Sequence, residues 1–280
     1  MIWQSLSQRI VGAAPDGPYE GVPGHLRVPL LQWFKAWGSS EARNLSMRLR
    51  IALPIDSAEG SIMAALCDLA GQDDDLLLDL VDATLRLAWE EDQEFPDLAV
   101  EDDHVLELDE VLRASASVWK VSDDSSGLTR IVGEQMQDIA DTALGAEDAS
   151  AAEIGRAWSN AFGRNGDPSD AWDHSIKAIE DVLIPVVVPN KAKATLGDVL
   201  GTLNSAQSAT RWEMVLPGGD QSHDVAPLVA MLRLLWPNPD RHGGGAKTAP
   251  SVEQARAAAS LAALILHWHH SGWVVRRRMG

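Results

Sequence analysis

The chain has 280 residues, 45% of them apolar, and a formal net charge of −18 at pH 7. That length and apolar content leave room for one large domain or two ordinary ones and exclude global disorder. The single cysteine, Cys67, excludes an internal disulfide framework and a cysteine-built zinc site. Cys67 lies in the apolar stretch Ile62-Met63-Ala64-Ala65-Leu66 and reads as a small buried hydrophobe. Residues 1–150 carry 10 Lys+Arg against 29 Asp+Glu, whereas residues 151–280 carry 13 against 12. A polyanion should be repelled by the first half and tolerated by the second, which ends in Arg276-Arg277-Arg278. The first residues lack a basic segment followed by an apolar run, so no signal peptide is expected. No stretch reaches the roughly 18 apolar residues of a membrane span, so a cytoplasmic protein without a membrane partner is expected.

Residues 15–29 hold four prolines among glycines and read as an irregular lead-in. Leu30, Leu31, Trp33, Phe34 and Trp37 then have helical spacing. Residues 40–53 continue as helix until Pro54. Residues 57–69 form a helix with Ser57 as its cap, and Asp73-Asp74-Asp75 opens another over 76–89. An acidic connection with Pro96 follows, then a short helix over 106–114. Alternation over 117–121 and 128–132, joined by Asp123-Asp124-Ser125-Ser126-Gly127, predicts a β-hairpin. A helix over 133–144 closes an acidic, mostly helical N-terminal region assigned to residues 1–148.

The second region, 149–280, is patterned as a helical bundle. A helix over 151–162 stops at Gly163. Asp167-Pro168 starts the next, which aligns Trp172, Ile176, Ile179 and Leu183 on one face and ends at Pro185. Short helices follow over 195–203 and 224–236. Ser251-Val252-Glu253-Gln254 is a capping box that opens a helix to about His270. Its small residues, Ala255, Ala258, Ala259 and Ala262, suit close helix packing. The fold class is therefore mainly α with one small hairpin.

Between the last two helices lies Trp236-Pro237-Asn238-Pro239-Asp240-Arg241-His242-Gly243-Gly244-Gly245. A histidine can serve as general base or acid near neutral pH, and an arginine beside it can hold a phosphate. Glycines let backbone amides approach that phosphate. The same residues also read as an ordinary Pro/Gly interhelical loop with a solvated Arg–His pair. His267, His269 and His270 do not share one helix face and complement the helix dipole at its C-terminus. His25, His104, His174 and His223 stand isolated among polar residues. No P-loop, dinucleotide-binding, nucleophile-elbow or zincin signature occurs, and nothing calls for a metal or other cofactor.

Three segments resemble the abortive-infection C-terminal family of HEPN domains. They are residues 157–165 running into Asp167-Pro168-Ser169-Asp170-Ala171-Trp172 and 176–180; Pro189-Asn190 with Ala194-Thr195-Leu196-Gly197; and Arg241-His242-Gly243-Gly244 with Gln254-Ala255-Arg256 and the final helix. The resemblance covers about 151–275, and the N-terminal region is similar to the leader of such proteins in actinobacteria. It implies a bundle of four or five helices that dimerises, and metal-independent ribonuclease activity in toxin–antitoxin and anti-phage systems. By that resemblance His242 is the catalytic base, Arg241 or Arg233 its phosphate-holding partner, and Asn238, Gly243 and Gly244 contact RNA. The family places its arginine four to six residues before the histidine; here Arg233 lies farther away, Arg241 is adjacent, and Pro237 occupies the expected place. The other reading is a non-catalytic HEPN module that binds a protein or nucleotide in a defence complex. A phage or antitoxin protein would meet the N-terminal region.

Overall fold

In the computed structural model the described residues are 10, 18–53, 59–94, 103–207, 211–216, 224–238 and 249–278. They form eleven helices and four short strands, so the protein is mainly α, as its patterning predicts. The chain divides into two compact units: Met1–Ile131 with Gly163–Asn165, and Val132–Phe162 with Gly166–Gly280. No described helix is long and apolar enough to cross a membrane.

The first unit contains α1 (Gly24–Trp37), α2 (Ala42–Arg48), α3 (Glu59–Ala70), α4 (Asp74–Glu94), α5 (Asp103–Ala114), β1 (Trp119–Val121) and β2 (Leu128–Arg130). Helix α1 begins earlier than expected, with Pro29 inside it. Leu26 explains this: it joins Leu30, Trp33 and Phe34 on one buried stripe, which rewards helix over the preceding turn. Helix α2 ends earlier than expected. Arg50 takes a left-handed φ of 54°, and Ile51 N–H closes back on Ser46 O at 2.8 Å. That closure satisfies the last carbonyls and stops the helix before Pro54. The expected Ser57 cap lies outside the described residues.

The hairpin forms as expected, with Trp119 opposite Arg130 and Val121 opposite Leu128. Half-buried Asp82 of α4 anchors its turn side: Oδ1 accepts the Leu128 N–H at 2.6 Å, and Oδ2 accepts from Asn165 at 2.7 Å. Desolvation holds the Asp82 carboxyl above its ordinary pKa. A Cβ at Gly127 would stand 2.7 Å from Asp82 Oδ1, so a side chain there would displace the carboxylate that anchors the turn. Arg164 is donated to this unit by the short segment Gly163–Asn165 and lies 2.9 Å from Asp79, 2.8 Å from Asp75 and 5.4 Å over the Trp119 ring.

The second unit contains α6 (Glu134–Leu144), α7 (Ala149–Phe162), α8 (Pro168–Val187), α9 (Leu196–Leu203), β3 (Trp212–Glu213), α10 (Ala226–Leu235), α11 (Val252–His270) and β4 (Arg276–Arg277). Helix α8 is the central element. Asp167 caps it by accepting from the Ser169 and Asp170 amides, and Pro168 occupies the first turn. Ile176, Ile179 and Leu183 are buried as their spacing requires. The helix passes Pro185 and ends at Val187, because the amide that proline lacks would have met Asp181, on the exposed side, while Val187 stays buried. Along α11 the expected small face, Ala255, Ala258, Ala259 and Ala262, is buried. Its capping box is formed as expected: Ser251 Oγ accepts from Gln254 N–H, and Gln254 Oε1 accepts from Ser251 N–H at 2.9 Å.

Two further features differ from the expectations above. Helix α6, assigned above to the N-terminal region, packs in the second unit through buried Ala140 and Ala143, so the chain divides at 131/132 and not at 148/149. The charge contrast narrows accordingly: the first unit carries 24 Asp+Glu and 11 Lys+Arg, the second 17 and 12. The second difference is the unexpected two-stranded ribbon of β3 and β4, which pairs Trp212 with Arg277 and Glu213 with Arg276.

Candidate functional site

The residues expected at the site fall into two groups. Arg241, His242, Gly243 and Gly244 lie outside the described residues. Arg233 and Asn238 are described, and they do not share a surface. Arg233 is exposed in the last turn of α10, where a cation complements the helix C-terminus. Asn238 is fully buried.

The root of the Arg–His stretch is well placed by packing. Trp172 Nε1 donates to Leu235 O at 2.8 Å and ties the end of α10 to α8. Trp236 follows in extended conformation, and its indole lies against Gly197, where a Cβ would stand 3.0 Å from Trp236 Nε1. Gly197 in turn lines a cleft of about 420 Å³ on the second unit. Lys191, Asp198, Thr202, Ser205, Gln207 and Arg211 also line it. Lys191 is ion-paired with Asp198, whose carboxyl is held below its ordinary value first by Lys191 and then by the Thr195 amide. Arg211 has no carboxylate partner among the described residues. Gly201 leaves its side of the cleft open, since a Cβ there would meet nothing within 4 Å.

Arg211 also starts the ribbon. Its carbonyl accepts from Arg278 N–H at 2.9 Å, and the ladder continues through Glu213–Arg276 to the Val215 N–H bonded to Trp273 O at 3.1 Å. Strand alternation turns Arg211, Glu213 and Val215 outward and buries Trp212 and Met214. Arg276 Nε donates to Glu213 at 2.7 Å, and Arg278 pairs with Asp224. Arg277 covers the Trp212 ring at 5.7 Å. The outer face thus carries the guanidinium groups of Arg211, Arg276 and Arg278, the last two paired with carboxylates. The terminal arginine run was visible in the sequence. Its pairing with residues 211–213 was not, because strands of two residues leave no periodicity.

A second cluster gathers titratable groups where α7, α8 and α11 meet. His174 Nδ1 lies 2.6 Å from Glu153 Oε2, and His270 Nε2 lies 3.0 Å from Asp148 Oδ2. Desolvation, then the neighbouring Glu153 and Asp148 charges, hold Asp181 above its ordinary pKa. Desolvation acts upward on Asp148 as well, but hydrogen bonds from Ser150 and His270 outweigh it and hold that carboxyl low. Burial and the adjacent His270 hold the His269 imidazole below its ordinary value. The sequence reading left His174 isolated because its partner lies 21 residues away on another helix. Among the described residues no three His, Cys, Asp or Glu side chains are arranged to hold a metal ion.

No family model matches the chain, and neither the curated proteins nor the solved structures contain a match to it. The site therefore has to be read from its own chemistry. A cleft lined by polar side chains, with one guanidinium that no described carboxylate pairs, suits a phosphate-bearing ligand better than an apolar one.

Proposed function

We propose that the protein is a cytoplasmic RNA-cleaving effector of the HEPN type that acts in phage defence, as a dimer formed through its C-terminal unit. His242 draws the proton from a ribose 2′-hydroxyl, the 2′-oxygen attacks phosphorus, and the 5′-oxygen leaves with a proton from the imidazolium or from water. Arg241 or Arg233 holds the scissile phosphate and stabilises the charge that develops on it. A phage or antitoxin protein restrains or triggers the enzyme at the acidic N-terminal unit.

One observation carries this reading beyond the resemblance: the stretch with Arg241 and His242 springs from Trp236, which packs on Gly197 at the wall of the Arg211 cleft. A phosphodiester held in that cleft lies next to the root of the stretch. The test is cleavage of a labelled synthetic RNA by the full chain in excess EDTA. Wild type should cut, and His242→Ala should be slower by about 10²–10⁴-fold, with loss of toxicity in cells. Equal rates, or no cleavage by either, defeat the enzymatic reading. The displaced arginine favours a second reading, a non-catalytic HEPN module that binds a protein or nucleotide partner, and that outcome would leave it standing.

A further inference from the structure

We propose that Asn165 is a self-modifying site: the Gly166 amide nitrogen closes on the Asn165 side-chain carbonyl carbon, and the Asp82 carboxyl supplies the proton with which the side-chain nitrogen leaves as ammonia. The inference concerns the first unit and does not rest on the ribonuclease reading. Six asparagines occur in the chain, and Asn165 alone is followed by glycine. Ring closure needs the next backbone nitrogen to be approachable, and glycine places no Cβ beside it. Asn165 is exposed, and among the described residues no group accepts a hydrogen bond from the Gly166 N–H, so neither reacting group is blocked. The leaving nitrogen, in contrast, is held: Asn165 Nδ2 lies 2.7 Å from Asp82 Oδ2. That is within the reach a proton donor needs. Asp82 is itself fixed through its other oxygen, which accepts the Leu128 N–H at 2.6 Å. Desolvation keeps its carboxyl above the ordinary carboxylate value, which raises the share of it that carries a proton.

In the first step the bond from Gly166 N to Asn165 Cγ forms and the Cγ–Nδ2 bond breaks. The Gly166 N–H proton passes to solvent, while Asp82 gives Nδ2 its third hydrogen and is reprotonated from solvent. Water then opens the succinimide and leaves aspartate or isoaspartate at position 165, with no change of oxidation state. The product undoes the contact that helped to make it. A carboxylate replaces the amide donor opposite Asp82, and two carboxylates that close repel each other when both are ionised. Isoaspartate also adds a backbone carbon just before Gly166, which is already packed against the Asn160 carbonyl. Both changes fall on a segment that borders β2: the Arg164 N–H donates to Leu128 O at 2.9 Å, and Thr129 bridges to Gly163. The β1–β2 hairpin therefore loosens as the chain ages.

The test follows Asn165 in the full chain during storage at neutral pH. Peptide mass mapping reads the conversion of amide to acid, and labelling by an isoaspartyl methyltransferase identifies the product. Folded wild type should convert Asn165 faster than the same chain unfolded in urea, where the Asn-Gly sequence acts without Asp82. Asp82→Asn keeps an acceptor for the Leu128 N–H but has no acidic proton to give, and should slow conversion in the folded chain by about 10²-fold. Asn165→Asp installs one of the products and should lower the urea midpoint of the first unit. The inference is overturned if folded wild type converts no faster than the unfolded chain, or if folded Asp82→Asn converts as fast as wild type. An unchanged midpoint in Asn165→Asp overturns the loosening of the hairpin. Circular dichroism establishes whether Asp82→Asn is folded; if it is not, the comparison of folded with unfolded wild type decides alone.

Discussion

Replacing Arg164 with alanine tests how the first unit is held together. Arg164 Nε lies 2.9 Å from Asp79 with only 15% and 33% of the two side chains exposed, so this bond contributes about 1.5–3 kcal/mol as a partly buried, charge-assisted contact. The contact to Asp75 is 2.8 Å long, but Asp75 is 83% exposed, and solvent screening leaves it a few tenths of a kcal/mol, about 0.3. The guanidinium 5.4 Å above Trp119 adds about 0.5–1 kcal/mol. These contacts share one side chain and are not additive, so Arg164→Ala should cost about 2–3 kcal/mol. With a urea dependence of about 2 kcal/mol per molar, the midpoint of the first unit should fall by about 1 M. Asp75→Ala should move it by about 0.2 M or less. Urea titration of the full chain, followed by circular dichroism, measures both. If Arg164→Ala shifts the midpoint no more than Asp75→Ala, the Asp79 and Trp119 contacts do not carry the stability assigned to them.

Asp148 should show an acid signature: its folded pKa lies below the unfolded value of 3.8, so its contribution is complete above that value and lost as pH falls through the folded one. It also caps α7, accepting the Ser150 N–H at 2.9 Å, so Asp148→Ala should cost about 1 kcal/mol at pH 7. Thermal melts should show the gap between the two proteins closing below pH 3.8, and a constant gap would refute the linkage. Gly166→Ala is expected to destabilise the second unit by about 2 kcal/mol or more, since its Cβ would fall 2.1 Å from the Asn160 carbonyl oxygen and force the α7–α8 connection to shift. A melting temperature equal to wild type would show that the connection yields at no cost.

Much of the helical fold was legible in the sequence, and for local reasons. Asp167-Pro168 and the Ser251–Gln254 box start their helices with groups a few residues apart, so the signal and the structure are the same object. The stripe at Ile176, Ile179 and Leu183 and the alanine face of α11 were legible because burial imposes a helical period on the residues themselves. The hairpin was legible through alternation and a polar turn. Where the reading went wrong, at Pro29, Pro185 and the end of α2, a local breaking signal was set against burial or backbone closure that only the packed chain reveals.

What tertiary structure alone decided are the pairings between distant residues. Glu153 meets His174 across two helices, and Asp148 meets His270 across 122 positions. Arg211 meets Arg278 because a terminal strand returns to a two-residue partner. None of these leaves a period, a spacing or a motif, because the groups approach through chain reversal and not through local geometry. At the Arg241–His242 stretch the composition fits phosphate chemistry or an ordinary interhelical loop, and only the packing of Trp236 on Gly197 sets Trp236 beside a polar cleft.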